Sequence, residues 1–145
     1  MAQGDGSIYY TFKELVMEGT YDLSSGGDTI QVILVGGYTL DLSGDTVYGN
    51  VSGTEYNTGA GYTSKGETLA GQDVTLTDST GTFDATDLTW TNLGPLTPAH
   101  PSYAIMFSDT AANDPLIAAW EVSGTAPNGA NWTLQWGGSG IILLA

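Results

Sequence analysis

The sequence predicts a mainly β protein, an antiparallel β-sandwich with one short N-terminal helix, and three observations predict it. Apolar and polar residues alternate in several short segments, and side chains on a strand point to opposite faces in turn. Glycine is abundant, at 21 of 145 residues, and with many Thr, Tyr and Val it suits short strands joined by tight turns. All four tryptophans fall in one block, residues 82–136, which reads as four strands at 82–90, 102–107, 116–122 and 131–136. In that block Phe83 and Ala85 oppose Asp84 and Thr86, and Trp132, Leu134 and Trp136 share a face. A jelly roll is one form such a sandwich can take. The chain reads as a single domain, residues 1–145, with an N-terminal arm (1–10) and an apolar C-terminal tail (141–145).

The arm is polar and glycine-rich. A helix follows, because Thr11 and Glu14 have the spacing of a capping box, with Tyr10 and Leu15 placed as a hydrophobic staple. Phe12, Leu15 and Val16 share its apolar face, and Gly19 supplies the stop. Two turns are too few to stand alone, so the helix must dock on a sheet. Residues 29–35 form the strongest strand by propensity. Ile30, Val32 and Leu34 lie on one face, and Ile33 and Val35 make the other apolar as well, as expected of a central strand covered on both sides. Residues 38–42 read as a short strand and 46–48 as a polar edge. Residues 49–71 read as a long loop, of a length that in compact domains is usually functional or ordered by a partner. Residues 72–78 resume as a strand with Val74 and Leu76 inward.

Residues 94–101 hold three prolines, which remove ladder donors, so no central strand passes there. Residues 111–115 read as a hairpin loop. Asn128-Gly129 carries a hairpin turn signal joining the third and fourth strands of the block. The tail, Ile141 to Ala145, is apolar to its last residue and is expected to add a strand or to insert between subunits.

Composition narrows function more than any motif does. A domain of this length buries roughly 68–70% of its unfolded surface and needs no covalent staples. Cysteine is absent, which removes disulfides and thiolate metal sites. The formal net charge is −14, with Lys13 and Lys65 the only basic side chains. Such a chain is repelled by nucleic-acid phosphates and anionic membranes. No segment approaches the ~20 apolar residues of a membrane span, and the N-terminus lacks the basic and apolar regions of a secretory signal.

The aspartates sit beside Gly, Ser and Thr and read as turn formers rather than as an acid–base pair. Asp78, Asp84 and Asp87 around one turn, and Asp109 and Asp114 around another, could offer oxygen ligands to calcium, but none has EF-hand spacing. His100, the lone histidine, lacks companions for a triad or a zinc site. The Asn131-Trp132-Thr133 sequon lies in an expected strand and reads as chance. The sequence therefore predicts no enzyme, no cofactor and no metal. Tyrosines such as Tyr56 and Tyr62 could make a carbohydrate platform, though tyrosine is equally a strand and interface residue.

An ordered series of segments resembles a group of small structural proteins of tailed-bacteriophage virions. It comprises the helix 12–19, the strand 28–34, Tyr38-Thr39-Leu40-Asp41, residues 51–56 and 61–69, then 83–90, Tyr103-Ala104-Ile105-Met106-Phe107 and the strand opening Pro115-Leu116-Ile117-Ala118. The chain departs from that group at residues 94–101. The resemblance implies a capsid cement or decoration protein on the virion exterior, a homotrimer whose partner is the major capsid protein, with no catalytic residues. The contacts expected are Tyr9 and Tyr10 of the arm, Tyr56 and Tyr62 of the loop, and Ile141, Ile142, Leu143 and Leu144 of the tail. The alternative is a tail or fibre component that binds a host surface glycan through the Tyr-rich loop.

Overall fold

A computed structural model describes residues 3–122 and 124–145. Ten strands form antiparallel sheets of five, three and two strands, with two short helices and no closed barrel. The large sheet has the order β1-β8-β7-β2-β3, from β1 (Gln3–Ile8), β8 (Leu116–Val122), β7 (Tyr103–Ser108), β2 (Ile30–Val35) and β3 (Glu67–Thr68). The second runs β10-β5-β4, from β10 (Ile142–Leu144), β5 (Thr80–Asp84) and β4 (Asp73–Thr77). The third pairs β6 (Leu88–Trp90) with β9 (Trp132–Leu134).

The centre is where propensity placed it. β2 pairs along its full length with β7, from Ile30 opposite Ser108 to Val35 opposite Tyr103. Ile30, Val32 and Leu34 enter one core with Phe12 of helix α1 (Tyr10–Met17), Phe83, Trp90, Trp120 and Ile142. Ile33 and Val35 enter a second core with Tyr9, Val51, Ile105, Phe107 and Leu116. The large sheet is thus buried on both faces, with the two smaller sheets and α1 on one of them.

The N-terminal arm is instead a strand. β1 pairs with β8, with Ser7 opposite Ala119 and Ile8 opposite Ala118, and a register irregularity between Gln3 and Gly6. Propensity argues against a strand here, but pairing satisfies the edge of β8, and Gly6 leaves room for the Trp120 indole, which a Cβ would overlap. The capping box does not form. Tyr9 is the N-cap, with no side-chain cap, and Thr11 lies inside the first turn. Tertiary hydrogen bonds set this boundary: Tyr9 N–H donates to Ile117 O (3.1 Å) and Tyr10 N–H to Leu42 O (3.0 Å). Gly19 does end the helix, at φ 74°, with Thr20 N–H returning to Leu15 O.

Five further expectations change. Residues 82–90 are two strands, β5 and β6, broken where Asp84 accepts the Ala85 N–H and Asp87 accepts the Trp136 N–H. Asn128-Gly129 does not join a hairpin: β8 and β9 belong to different sheets, and Gly129 N–H donates to Leu93 O (2.7 Å). Residues 38–42 are irregular, and 46–48 give a single bridge, Val47 with Pro115, before helix α2 (Tyr48–Val51). Val74 and Leu76 are exposed rather than buried, although register sets them on the same face as the core residue Phe83.

The long loop is ordered by the chain itself. Helix α2 and a 3₁₀ turn (Ser52–Thr54) open it. Tyr56 N–H then bonds Leu34 O (3.3 Å), and Gly36 N–H bonds Thr54 O (3.0 Å). These bonds cover the half of the β2 edge that β3 leaves open. Gly66 fits at φ 71° against the Val32 carbonyl, where a Cβ would collide with backbone.

Candidate interaction surface

Of the eight residues expected to make contacts, five lie inside the chain. Tyr9, Tyr56, Tyr62, Ile141 and Ile142 are buried, which corrects their assignment to a contact surface. Their alternation and aromatic character serve the core. Tyr9 Oη lies 3.1 Å from Tyr38 Oη, and Tyr38 in turn donates to Asp45 (2.6 Å). Tyr56 donates to Pro98 O (2.7 Å). Tyr62 donates to Glu55 (2.8 Å) and accepts the Leu34 N–H (3.1 Å). The tail adds a strand, Ile142 opposite Phe83 and Leu144 opposite Gly81. Tyr10, Leu143 and Leu144 remain exposed, with Lys13 lying over the Tyr10 ring.

What the fold exposes is a strip the sequence did not indicate. Val74, Leu76 and Leu144 are 50%, 74% and 56% exposed. Their rows are set by register: Val74 opposite Phe83, and Leu76 and Leu144 on either side of Gly81. Because Gly81 carries no side chain, nothing stands between Leu76 and Leu144. Beside this strip a groove of about 310 Å³ opens against α1, walled by Phe12, Val16, Tyr21 and Leu23 as well as strand residues. The opposite face of the same sheet carries Thr75, Thr82, Asp73 and Asp84 in two rows, with the exposed Leu143 beside Thr82. Alternation marked Val74 and Leu76 as one apolar face, but it carries no information about whether anything covers that face.

Four of the five aspartates that could offer calcium ligands have other partners, Asp84 and Asp87 through main-chain amides. Asp109 and Asp114 converge on the Lys65 ammonium, at 2.6 and 3.2 Å. Lys65 is 43% exposed, so this pair contributes little to stability. Among the described residues no three His, Cys, Asp or Glu side chains gather where they could hold a metal ion. The ring nitrogens of His100 face the carbonyl oxygens of Pro101 (2.6 Å) and Gly124 (3.0 Å), tying the proline-rich crossing to the segment after β8. Among the described residues no helix is long and apolar enough to cross a membrane.

The buried tyrosines give the chain a defined response to alkali. Burial raises the phenols of Tyr9, Tyr21 and Tyr62 well above the ordinary tyrosine range, helped at Tyr62 by the Glu55 charge and at Tyr9 by the hydrogen bond to Tyr38. Tyr38 is pushed up to about 12, first by burial and then by its hydrogen bond to Asp45. The unfolded chain releases these protons near pH ~10, whereas the fold holds them. A raised native pKa contributes stability that is intact below the unfolded value and is lost as pH climbs through the native one. Urea midpoints are therefore expected to stay level up to about pH 9 and to fall steeply beyond pH ~10. Phenolate absorbance should appear together with unfolding. Full phenolate absorbance near pH ~10 in a still-native protein would contradict this burial.

No known protein family, curated protein or solved structure matches the chain.

Proposed function

We propose that this chain is a non-enzymatic virion structural protein, a capsid cement or decoration protein of a tailed bacteriophage. It binds the outer capsid surface as an oligomer, with the major capsid protein as partner. The observation that carries the reading is the exposed apolar strip of Val74, Leu76 and Leu144 beside its groove. Contiguous apolar surface of this kind marks association sites. The net charge of −14 favours the outside of the shell, away from packaged nucleic acid. Binding across neighbouring capsid subunits would favour the assembled shell over its parts by mass action. The alternative, glycan binding through the Tyr-rich loop, loses its platform because the Tyr56 and Tyr62 rings are buried.

Copy number tests the proposal. Quantitative mass spectrometry of purified virions is expected to find this chain in numbers comparable to the major capsid protein. A ratio of a few per cent or less, or absence from particles, overturns it.

A further inference from the structure

We propose that the free edge of β4 pairs with β4 of a second copy, antiparallel about a two-fold axis beside Thr75. β4 is the outermost strand of its sheet, and among the described residues nothing pairs with its other edge. All five of its residues are exposed. Natural edge strands are protected by lysine, proline, bulges or a covering loop. β4, with the sequence Asp73-Val74-Thr75-Leu76-Thr77, has neither lysine nor proline, and its register with β5 runs without a bulge.

The direction of the unpaired groups follows from the hairpin. β4 and β5 are joined by a two-residue loop, Asp78-Ser79, with Asp78 at φ 55°. In such a hairpin the pair flanking the loop, here Thr77 and Thr80, exchanges both main-chain bonds. By the alternation of antiparallel ladders, the N–H and C=O of Val74 and Leu76 then point to the open edge. In the two-fold register Val74 faces Leu76 of the partner subunit, so these outward groups satisfy one another.

The same register settles side chains and charge. Val74 and Leu76 of both copies fall on one face, where each apolar residue meets the other kind. Asp73 faces a threonine of the second copy, so its carboxylate opposes a neutral hydrogen-bonding group. A register shifted by four residues would set Asp73 against its own copy, and like charges directly opposite are destabilising. This complementarity of β4 with itself, in hydrogen bonds, apolar pairs and charge, is why the occupant is a second copy. Such an isologous contact closes with two subunits. It does not depend on the virion reading, because it is measured on the isolated protein.

The test uses the absence of cysteine. Thr75→Cys places its thiol at the two-fold, in a non-hydrogen-bonded pair with Cα atoms about 4.5 Å apart, within the ~4.4–6.8 Å that a disulfide spans. Mild oxidation is expected to link T75C into dimers much faster than S139C, whose site is equally exposed but lies off β4. In sedimentation velocity the unmodified chain is expected to dimerise, more strongly as salt screens the −14 charge of each copy. L76P removes an N–H that no bond within the chain uses, and should weaken the dimer at least about tenfold. L76D does the same by adding a carboxylate to each copy of an already acidic pair if the proline variant fails to fold. The proposal is overturned if the chain stays monomeric at high concentration and salt, if T75C crosslinks no faster than S139C, or if a folded L76P or L76D dimerises like the parent.

Discussion

Trp90→Ala is expected to cost about 3–5 kcal/mol of folding stability, the range for emptying the site of a large buried aromatic. Trp90 is fully buried and stands opposite Trp132 in the β6–β9 ladder, their rings 5.8 Å apart and edge to face. It lies among residues of all three sheets in one core, so its loss opens a cavity that no single element can close. Phenylalanine at this position discriminates between packing and polarity. The Trp90 indole N–H is buried without a hydrogen-bond partner, and such an orphan donor carries a penalty of ~1–3 kcal/mol. W90F loses ring area but removes that donor, so its net cost should stay below about 2 kcal/mol. Urea denaturation followed by far-UV circular dichroism measures both. Equal losses for W90A and W90F would mean that the indole N–H is satisfied in solution.

The contrast between legible and illegible parts of this fold follows from what each signal reports. β2 and β8 were readable because continuous apolar runs with β-branched residues have few other uses, and both strands sit inside the large sheet with their faces covered. β1 was not. Gln3–Ile8 carries two glycines and little propensity, and it is a strand because β8 offers an edge and Trp120 needs the space above Gly6. The helix stop at Gly19 was readable because a left-handed residue is a local requirement. Its start was not, because distant carbonyls of Ile117 and Leu42 capture the amides there.

The same distinction governs the surface. Composition gives the acidic net charge, and that depends on no fold. Which tyrosines face solvent is a tertiary fact. Tyr56 and Tyr62 turned inward because the edge of β2 lacks a full neighbouring strand, and the Tyr62 hydroxyl and the Tyr56 main-chain N–H supply the missing partners. Val74 and Leu76 share the face of the buried Phe83 yet stay exposed, and whether anything covers a face is a matter that alternation cannot express.

Glu55 makes that edge, and replacing it by alanine is expected to cost about 3 kcal/mol, as removal of a carboxylate that several donors share. Its Oε1 accepts the Tyr62 hydroxyl (2.8 Å) and the Lys65 N–H (2.6 Å), and its Oε2 accepts the Tyr48 hydroxyl. Tyr62 in turn caps the Leu34 N–H in the middle of β2, so one side chain connects α2, the loop and the central strand. Alanine would leave two tyrosine hydroxyls and a main-chain donor to find water at a half-buried site. Glutamine keeps one acceptor for Tyr62 and Lys65 and offers its amide to the Tyr48 oxygen, so E55Q should cost only about 1 kcal/mol. Y62F should cost ~1–3 kcal/mol by leaving the buried Leu34 N–H without its acceptor. In a double-mutant cycle E55A and Y62F should be strongly non-additive, because each removes part of the same bond. Urea midpoints of the four proteins measure this. Additive losses would mean that Glu55 and Tyr62 stabilise the fold separately and that the edge of β2 is held by the main-chain bonds of Thr54 and Tyr56 alone.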